Sequence, residues 1–192
     1  GKVYTFKIRE TKFSDGTPLT ASDAAFSLLR IRDDAGSLWR DSYSIIAQAQ
    51  ATDPRTLVVT LKSPSAPFLS QLALPNASVI SQKAMKAEGE EAFAEKPVGS
   101  GAFSVKEWLR GEKIVLVKNP DYYREGLPRL DEIYYRVIPD AASRTIAFET
   151  GEVDVLPAGS VEMFDLPPGF VHVGLPIAAV NLGHTQIGRA HV

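Results

Sequence analysis

Tyr4, Phe6 and Ile8 alternate with Thr5, Lys7 and Arg9 at the start of the chain. A period of two puts the three apolar side chains on one face, which predicts a half-buried strand. The next segment, TKFSDGTPLTASDAAFSLLRIR, changes period. Asp15-Gly16 marks a turn, and Pro18 keeps the chain extended. Thr20 then stands at an N-cap position with Asp23 three residues on. In this capping-box variant Thr20 Oγ1 can accept from the Asp23 N–H, and the carboxylate complements the helix N-terminus. Ala25, Leu28, Leu29 and Arg32 recur at i, i+3, i+4 and i+7, so a helix is predicted from about residue 21 to residue 32.

The polar stretch DDAGSLWRDSYS reads as loop with a short helix. In DPRTLVVTLKS, a turn leads into a strand from about 55 to 62, with Leu57, Val59 and Leu61 facing one way. APFLSQLALP reads as a short helix that stops at Pro75, and SQKAMKAEGEEAFAEK as an exposed helix weakened at Gly89. Strands at about 102–108 and 112–118 are linked by Leu109-Arg110-Gly111, which makes them a hairpin. NPDYYREGLPRLD is a breaker-rich loop and EIYYRVIP a strand. DAASRTIAFETG is a helix that Asp140 caps and Gly151 ends. EVDVL is a short strand, and FVHVGLPIAAVNLG holds two more. The mixture follows no strict βαβ rhythm, so the class is mixed α/β. The polar stretch ending at Lys96-Pro97 divides a helix-rich part from a strand-rich part.

Composition narrows the function classes. The 192 residues are 44% hydrophobic and 23% charged with a net charge of −2, which is ordinary for a globular protein. Mixed signs along the chain give no basic face for nucleic acid, so none is expected as a partner. No apolar run reaches the length of a membrane span. Without cysteine there is no disulfide, thiolate nucleophile or cysteine metal site. The chain starts at Gly1 inside a predicted strand, so a missing beginning that includes a signal peptide is expected. Ile187 to Val192, IGRAHV, match one reading frame of a common sequencing-adapter oligonucleotide and are read as adapter translation. Gln186 can be partly adapter too. Without Arg189 the balance is 20 basic against 23 acidic residues, a net charge of −3.

PVGSGAFSVKEW, residues 97–108, is the stretch most open to a chemical reading. A hydrolase elbow needs Gly-x-Ser-x-Gly, but Ser100 has Val98 and Ala102 two residues to either side. A phosphate loop must run into a helix carrying Lys and then Ser or Thr, whereas Phe103 and Val105 alternate with Ser104 and Lys106 as in a strand. The stretch therefore reads as a turn that launches a strand, with positive φ at one glycine. His172, His184 and His191 have no partner at metal-ligand spacing, so no metal is expected. Asp15, Asp23, Asp121 and Asp140 sit where turns and caps want them. Glu90-Glu91 and Asp33-Asp34 read as solvated faces, and no carboxylate pair stands out as catalytic. Tyr122-Tyr123 can stack on a ligand or plug its loop onto the sheet.

Four segments in order resemble family 5 of the extracellular solute-binding proteins, the peptide, dipeptide and nickel-binding subunits of ABC importers. They are YTFKIRETKFSDGTPLTASDAAFSLLRI, LKSPSAPFLSQLALP, PVGSGAFSVKEWLRGEKIVLVKNPDYY and LPRLDEIYYRVIPDAASRTIAFETGEVDVLP. The third is similar to the family's P-x-G-T-G-P-Y…W…G…I-x-L-x-x-N-P-x-Y-W. Ser100 stands where Thr is usual, Ala102 where Pro is usual and Tyr123 where Trp is common. The resemblance spans about residues 2 to 183. It implies an α/β, periplasmic-binding-protein-like fold of class II, here a partial first lobe with a mixed sheet and an excursion subdomain. Residues 1–96 would be the excursion, 97–186 the main part of the lobe and 187–192 the adapter. A sheet shared between the first strand's neighbourhood and the later hairpin is expected.

The implied function is capture of peptides or similar small solutes between two lobes and delivery to ABC permease subunits in the membrane. No catalysis and no cofactor are implied. The location is the periplasm or the outside of a membrane, and the full-length protein is expected to be a monomer. The second lobe would follow Leu182. The resemblance places Leu74, Pro75 and Asn76 near the ligand and Ser100 and Gly101 near the hinge, all five as candidate binding residues. In nickel-binding relatives the stretch corresponding to Asn76 carries an Arg that pairs with a chelator carboxylate. A nickel-chelate or other small-solute binder is the alternative within the family. A hydrolase with a dispersed site is the alternative outside it.

Overall fold

The computed structural model describes residues 1–156 and the backbone of three short strands at 170–172, 179–181 and 189–191. The chain divides into two compact units. The first is Gly1–Ala102 with Asn119–Glu125; the second takes Phe103–Lys118 and the described residues from Gly126 onward.

In the first unit, β1 (Val3–Lys7) and β2 (Ile46–Asp53) both run antiparallel to β3 (Thr56–Leu61), giving the order β1-β3-β2. Helix α1 (Ala21–Asp33) lays Ala21, Ala24, Ala25, Leu28 and Ile31 on this sheet, where they meet Ile46, Ala49, Leu57, Val59 and Leu61. Tyr4, Phe6 and Ile8 pack against the same core, as their alternation predicts. Strand β2 has no counterpart in the sequence reading. After Ile46 its residues are Ala and Gln with a closing Thr-Asp, and two irregularities break its register, so the period-two signal is faint. Pairing with β3 makes it a strand.

The predicted capping box is present. Asp23 Oδ2 accepts from the Thr20 N–H at 2.9 Å and from the Thr20 hydroxyl at 2.7 Å, while Oδ1 accepts from the Gln82 N–H at 3.1 Å. A buried carboxylate with three donors is compensated for its desolvation. It also ties α1 to α4 (Gln82–Glu88). The expected single exposed helix over 81–96 is two helices, α4 and α5 (Glu90–Glu95). Gly89 separates them at φ +84°, where a side chain would be strained. Ala84, Met85 and Phe93 are buried in a second small core with Phe26, Ile80 and Val98, so this segment is only partly exposed. Short helices α2 (Arg40–Tyr43) and α3 (Phe68–Gln71) complete the unit.

The second unit starts with the predicted hairpin of β4 (Phe103–Leu109) and β5 (Lys113–Lys118), turned at Gly111 with φ +76°. Strand β6 (Glu132–Arg136) pairs antiparallel with β5. Helix α6 (Ala141–Glu149) has its N-cap at Asp140, whose Oδ2 accepts from the Ser143 N–H at 2.7 Å. It leads to β7 (Val155–Leu156). Strands β8 (Phe170–His172) and β9 (Ala179–Asn181) join it in the order β7-β9-β8. Strand β10 (Arg189–His191) lies parallel to β6, which makes the sheet β10-β6-β5-β4 mixed. The expectation of one sheet shared by the first strand's neighbourhood and the hairpin is corrected: β1 and β4 belong to separate sheets. The edges of β3 are both taken, by β1 and β2, and the edges of β5 by β4 and β6.

Candidate ligand-binding site

The turn that the sequence reading placed near a ligand is built on two buried aromatics. Phe68, 1% exposed, anchors α3 in the core of the first unit. Tyr43, also 1% exposed, donates its hydroxyl to the Gln71 carbonyl at 3.1 Å. Asn76 Nδ2 donates in turn to Tyr43 Oη at 3.2 Å. Burial raises the Tyr43 pKa, against the smaller opposite pull of Asn76, so the phenol stays protonated and remains a donor. Between Gln71 and Asn76 the chain projects Leu74, which is 46% exposed. A 3₁₀ turn over Pro75–Ala77 follows. The Ser78 hydroxyl donates to the Pro75 carbonyl at 2.6 Å.

Beside this turn the first unit holds a cavity of about 370 Å³. Phe6, Ile8, Leu28 and Leu57 contribute its apolar surface, and Leu72, Ala77 and Val79 extend it towards the turn. Its polar lining includes Arg9, Thr11, Ser100 and Tyr123. Thr11 Oγ1 is buried with no hydrogen-bond partner among the described residues. The Arg9 guanidinium lies 4.0 Å from the Tyr123 ring centroid, a cation–π contact, and Arg124 Nε donates to Tyr123 Oη at 3.0 Å. Hydrogen bonding from Arg9, then from Arg124 and Tyr122, holds the Tyr123 phenol below its ordinary pKa. An apolar surface with a cationic and hydroxylic lining suits a small solute that has both apolar and anionic parts.

Gly99 and Gly101 work through their carbonyls. The Gly99 carbonyl accepts from the Ser14 N–H at 2.8 Å, and the Gly101 carbonyl accepts from Asn119 Nδ2 at 2.8 Å. Neither glycine has positive φ, which corrects that expectation: each sits in backbone that any residue can adopt. Asn119 is 1% exposed, and its Oδ1 accepts from the Asp121 N–H at 3.0 Å. Asp121 pairs with Lys12 at 3.3 Å. These contacts hold residues 119–125 on the first unit although the strands before and after belong to the second.

The structure therefore brings Ser100 to the cavity and sets Leu72 and Ala77 on either side of Leu74, Pro75 and Asn76. Those three do not line the cavity, and Gly101 lies in the adjacent turn. Tyr122 and Tyr123 meet edge to face at 4.8 Å, and Tyr123 packs under Arg9 and lines the cavity. Tyr43 and Arg9 were missed. Tyr43 sits in a polar stretch with no periodic signal, and Arg9 looks like the polar end of a strand. Among the described residues no group of three His, Cys, Asp or Glu side chains can hold a metal ion. The side chains of His172, His184 and His191 lie outside the described residues.

A family model described as bacterial extracellular solute-binding proteins, family 5, middle part, matches residues 1–181. The chain belongs to this family. A curated family 5 relative, the glutathione-binding protein GsiB of Escherichia coli K12, is 37% identical over 154 residues, 79% of this chain and 30% of GsiB. Among solved structures, AgaA of Agrobacterium tumefaciens R10 in complex with agropinic acid is 34% identical with a TM-score of 0.80, over 88% of this chain and 35% of that one. The periplasmic binding protein DppA of Helicobacter pylori in complex with the peptide STSA is 30% identical with a TM-score of 0.76, over 89% and 38%. The chain thus spans about a third of the length of these relatives. These likenesses show the fold class read from the sequence. Family 5 proteins are extracellular, and among the described residues no helix is long and apolar enough to cross a membrane.

Proposed function

We propose that this chain is part of the substrate-binding component of an ABC importer, which captures a peptide or similar small solute and hands it unchanged to membrane permease subunits. The observation that carries this reading is the family match over residues 1–181, joined to a backbone likeness of TM-score 0.80. The named relatives take small solutes: glutathione for GsiB, agropinic acid for AgaA and the peptide STSA for DppA. In this reading residues 1–96 are the excursion subdomain of the first lobe, 97–186 its main part, and 187–192 adapter translation. Leu74, Pro75 and Asn76 approach the solute, with Ser100 and Gly101 at the hinge. Closure of two lobes on the solute gives the closed state its differential affinity. The protein acts outside the cytoplasm as a monomer, without catalysis.

Within the family, Asn76 in place of an Arg favours a peptide over a nickel chelate, because a neutral amide supplies no countercharge for a chelator carboxylate. The test is calorimetry and thermal denaturation of the full-length natural protein with tri-alanine, glutathione and nickel–histidine. At a free ligand concentration 100 times Kd, binding should add about 2.7 kcal/mol to stability. Mass spectrometry should recover the ligand intact. Hydrolysed ligand would sink this reading in favour of a hydrolase.

A further inference from the structure

We propose that Tyr43 fixes the side-chain amide of Asn76 so that its oxygen, Oδ1, is presented as an acceptor for an N–H group of the bound solute. This rests on the solute-binding reading above, and goes beyond it by naming the chemistry that one subsite selects.

The orientation follows from counting protons. Tyr43 Oη carries a single hydrogen. The Gln71 carbonyl, 3.1 Å away, can only accept, so that hydrogen points to it. The Asn76 atom 3.2 Å from Oη must then be the NH2 group, because an amide oxygen there would face an oxygen lone pair. Tyr43 is 1% exposed, so water does not compete at Oη, and its burial keeps the hydroxyl protonated. The amide is planar. With Nδ2 committed to Tyr43, Oδ1 occupies the other arm of the fork and has no partner among the described residues.

Two backbone hydrogen bonds close the turn around Asn76. The Ala77 N–H donates to the Leu74 carbonyl at 3.0 Å, and the Ser78 N–H donates to the Pro75 carbonyl at 3.1 Å. Among the groups the turn offers are an exposed apolar side chain, Leu74, and a neutral acceptor, Asn76 Oδ1. Ala77, the next residue, lines the 370 Å³ cavity. A neutral acceptor of this kind takes a peptide N–H or an ammonium group and turns away a carboxylate, whose oxygens have no proton to give. The subsite therefore selects a solute with an N–H donor at this point. Tyr43 is a positioning residue, since it acts through Asn76.

The test is calorimetric binding of tri-alanine to the full-length natural protein and to Tyr43→Phe, Asn76→Ala and the double variant. Tyr43→Phe keeps the buried ring and removes the hydroxyl, which is both the acceptor for Asn76 Nδ2 and the donor to the Gln71 carbonyl. Each single variant should weaken binding about five- to tenfold, the effect of one hydrogen bond. The double variant should match Asn76→Ala within about twofold, because Tyr43 has nothing left to orient. A merely structural role for Tyr43 would give losses that multiply, and that result overturns the proposal. So does unchanged binding in both single variants.

A second arm does not depend on any Tyr43 variant. Tri-alanine analogues are compared in which one N–H at a time is replaced, by an ester oxygen in the chain or by hydrogen at the amino end. One replacement should cost the parent about tenfold and cost Asn76→Ala less than about twofold. Equal costs in both proteins overturn the proposal while leaving the peptide reading intact. A parent protein that binds neither tri-alanine nor glutathione overturns the peptide reading, and this inference falls with it.

Discussion

Among the described residues, the two units of the chain bury their apolar side chains to different degrees. In the first, a helix and a three-stranded sheet close on twelve buried residues, from Ala21 on α1 to Phe68 on α3. In the second, the described residues form a core of four, Ala147, Phe148, Val153 and Leu156. On β4–β6 only Val115 is buried, while Trp108, Leu109 and Tyr135 are each 39–40% exposed. Val137 and Ile146 are 50% and 59% exposed. A sheet face is stabilised when a second layer covers it. The first unit has both layers within the described residues and its strands show it, with Val59 and Leu61 at 0% exposure. The difference locates stability in layering: equally apolar strands contribute unequally according to what lies across from them.

The contrast is broken most directly by truncating one apolar side chain in each unit. Leu61→Ala should cost about 3 kcal/mol in denaturant unfolding, the transfer loss plus a cavity in a closed core. Ile146→Ala, on an exposed helix face, should cost less than about 0.5 kcal/mol. Equal costs would mean that Ile146 is covered in solution and that the two units do not differ in this way. The segment 119–125 sharpens the comparison, because it is anchored to the first unit between strands of the second. Asn119→Ala removes the donor to the Gly101 carbonyl and the acceptor for the Asp121 N–H. It should destabilise by about 2 kcal/mol. Hydrogen exchange should rise at residues 99–103 and 119–125 and stay unchanged in β6. Exchange rising equally in β6 would merge the two units into one.

The smallest effect belongs to the cap of α6. Backbone donation from Ser143 holds the Asp140 carboxyl below its ordinary value. A depressed folded-state pKa means that the contribution is present above the unfolded value and is lost as pH falls through the folded one. Asp140→Ala should therefore be less stable than the parent at neutral pH. The gap should close as pH drops below the ordinary carboxylate value of 3.8. A gap independent of pH would assign the loss to helix propensity and remove the role of charge.

Some of this was legible in order along the chain. The alternation of Tyr4, Phe6 and Ile8, the Thr20–Asp23 cap, the hairpin at Gly111 and the Asp140 cap were each readable because their causes lie within a few residues. Strand β2 and the break at Gly89 were harder. An Ala-Gln alternation has no strong face, and a lone glycine reads as a weakened helix until its φ is known. The division between sheets was not legible, since strand partners are chosen by packing across long separations.

The candidate site divides the same way. Local composition stopped a short helix at Pro75, put a hydroxyl at Ser100 in a strand-launching turn and left no cysteine chemistry, because turn and strand preferences are short-range; Leu74, Pro75 and Asn76 became candidates only through the family resemblance. Only the tertiary structure decided that Tyr43, 33 positions before Asn76, sets the direction of its amide, and that Arg9 stacks on Tyr123 from the far end of the unit. A hydrogen bond between distant residues has no period to read. It exists because a folded core brings a buried hydroxyl and a turn amide within reach and keeps water out.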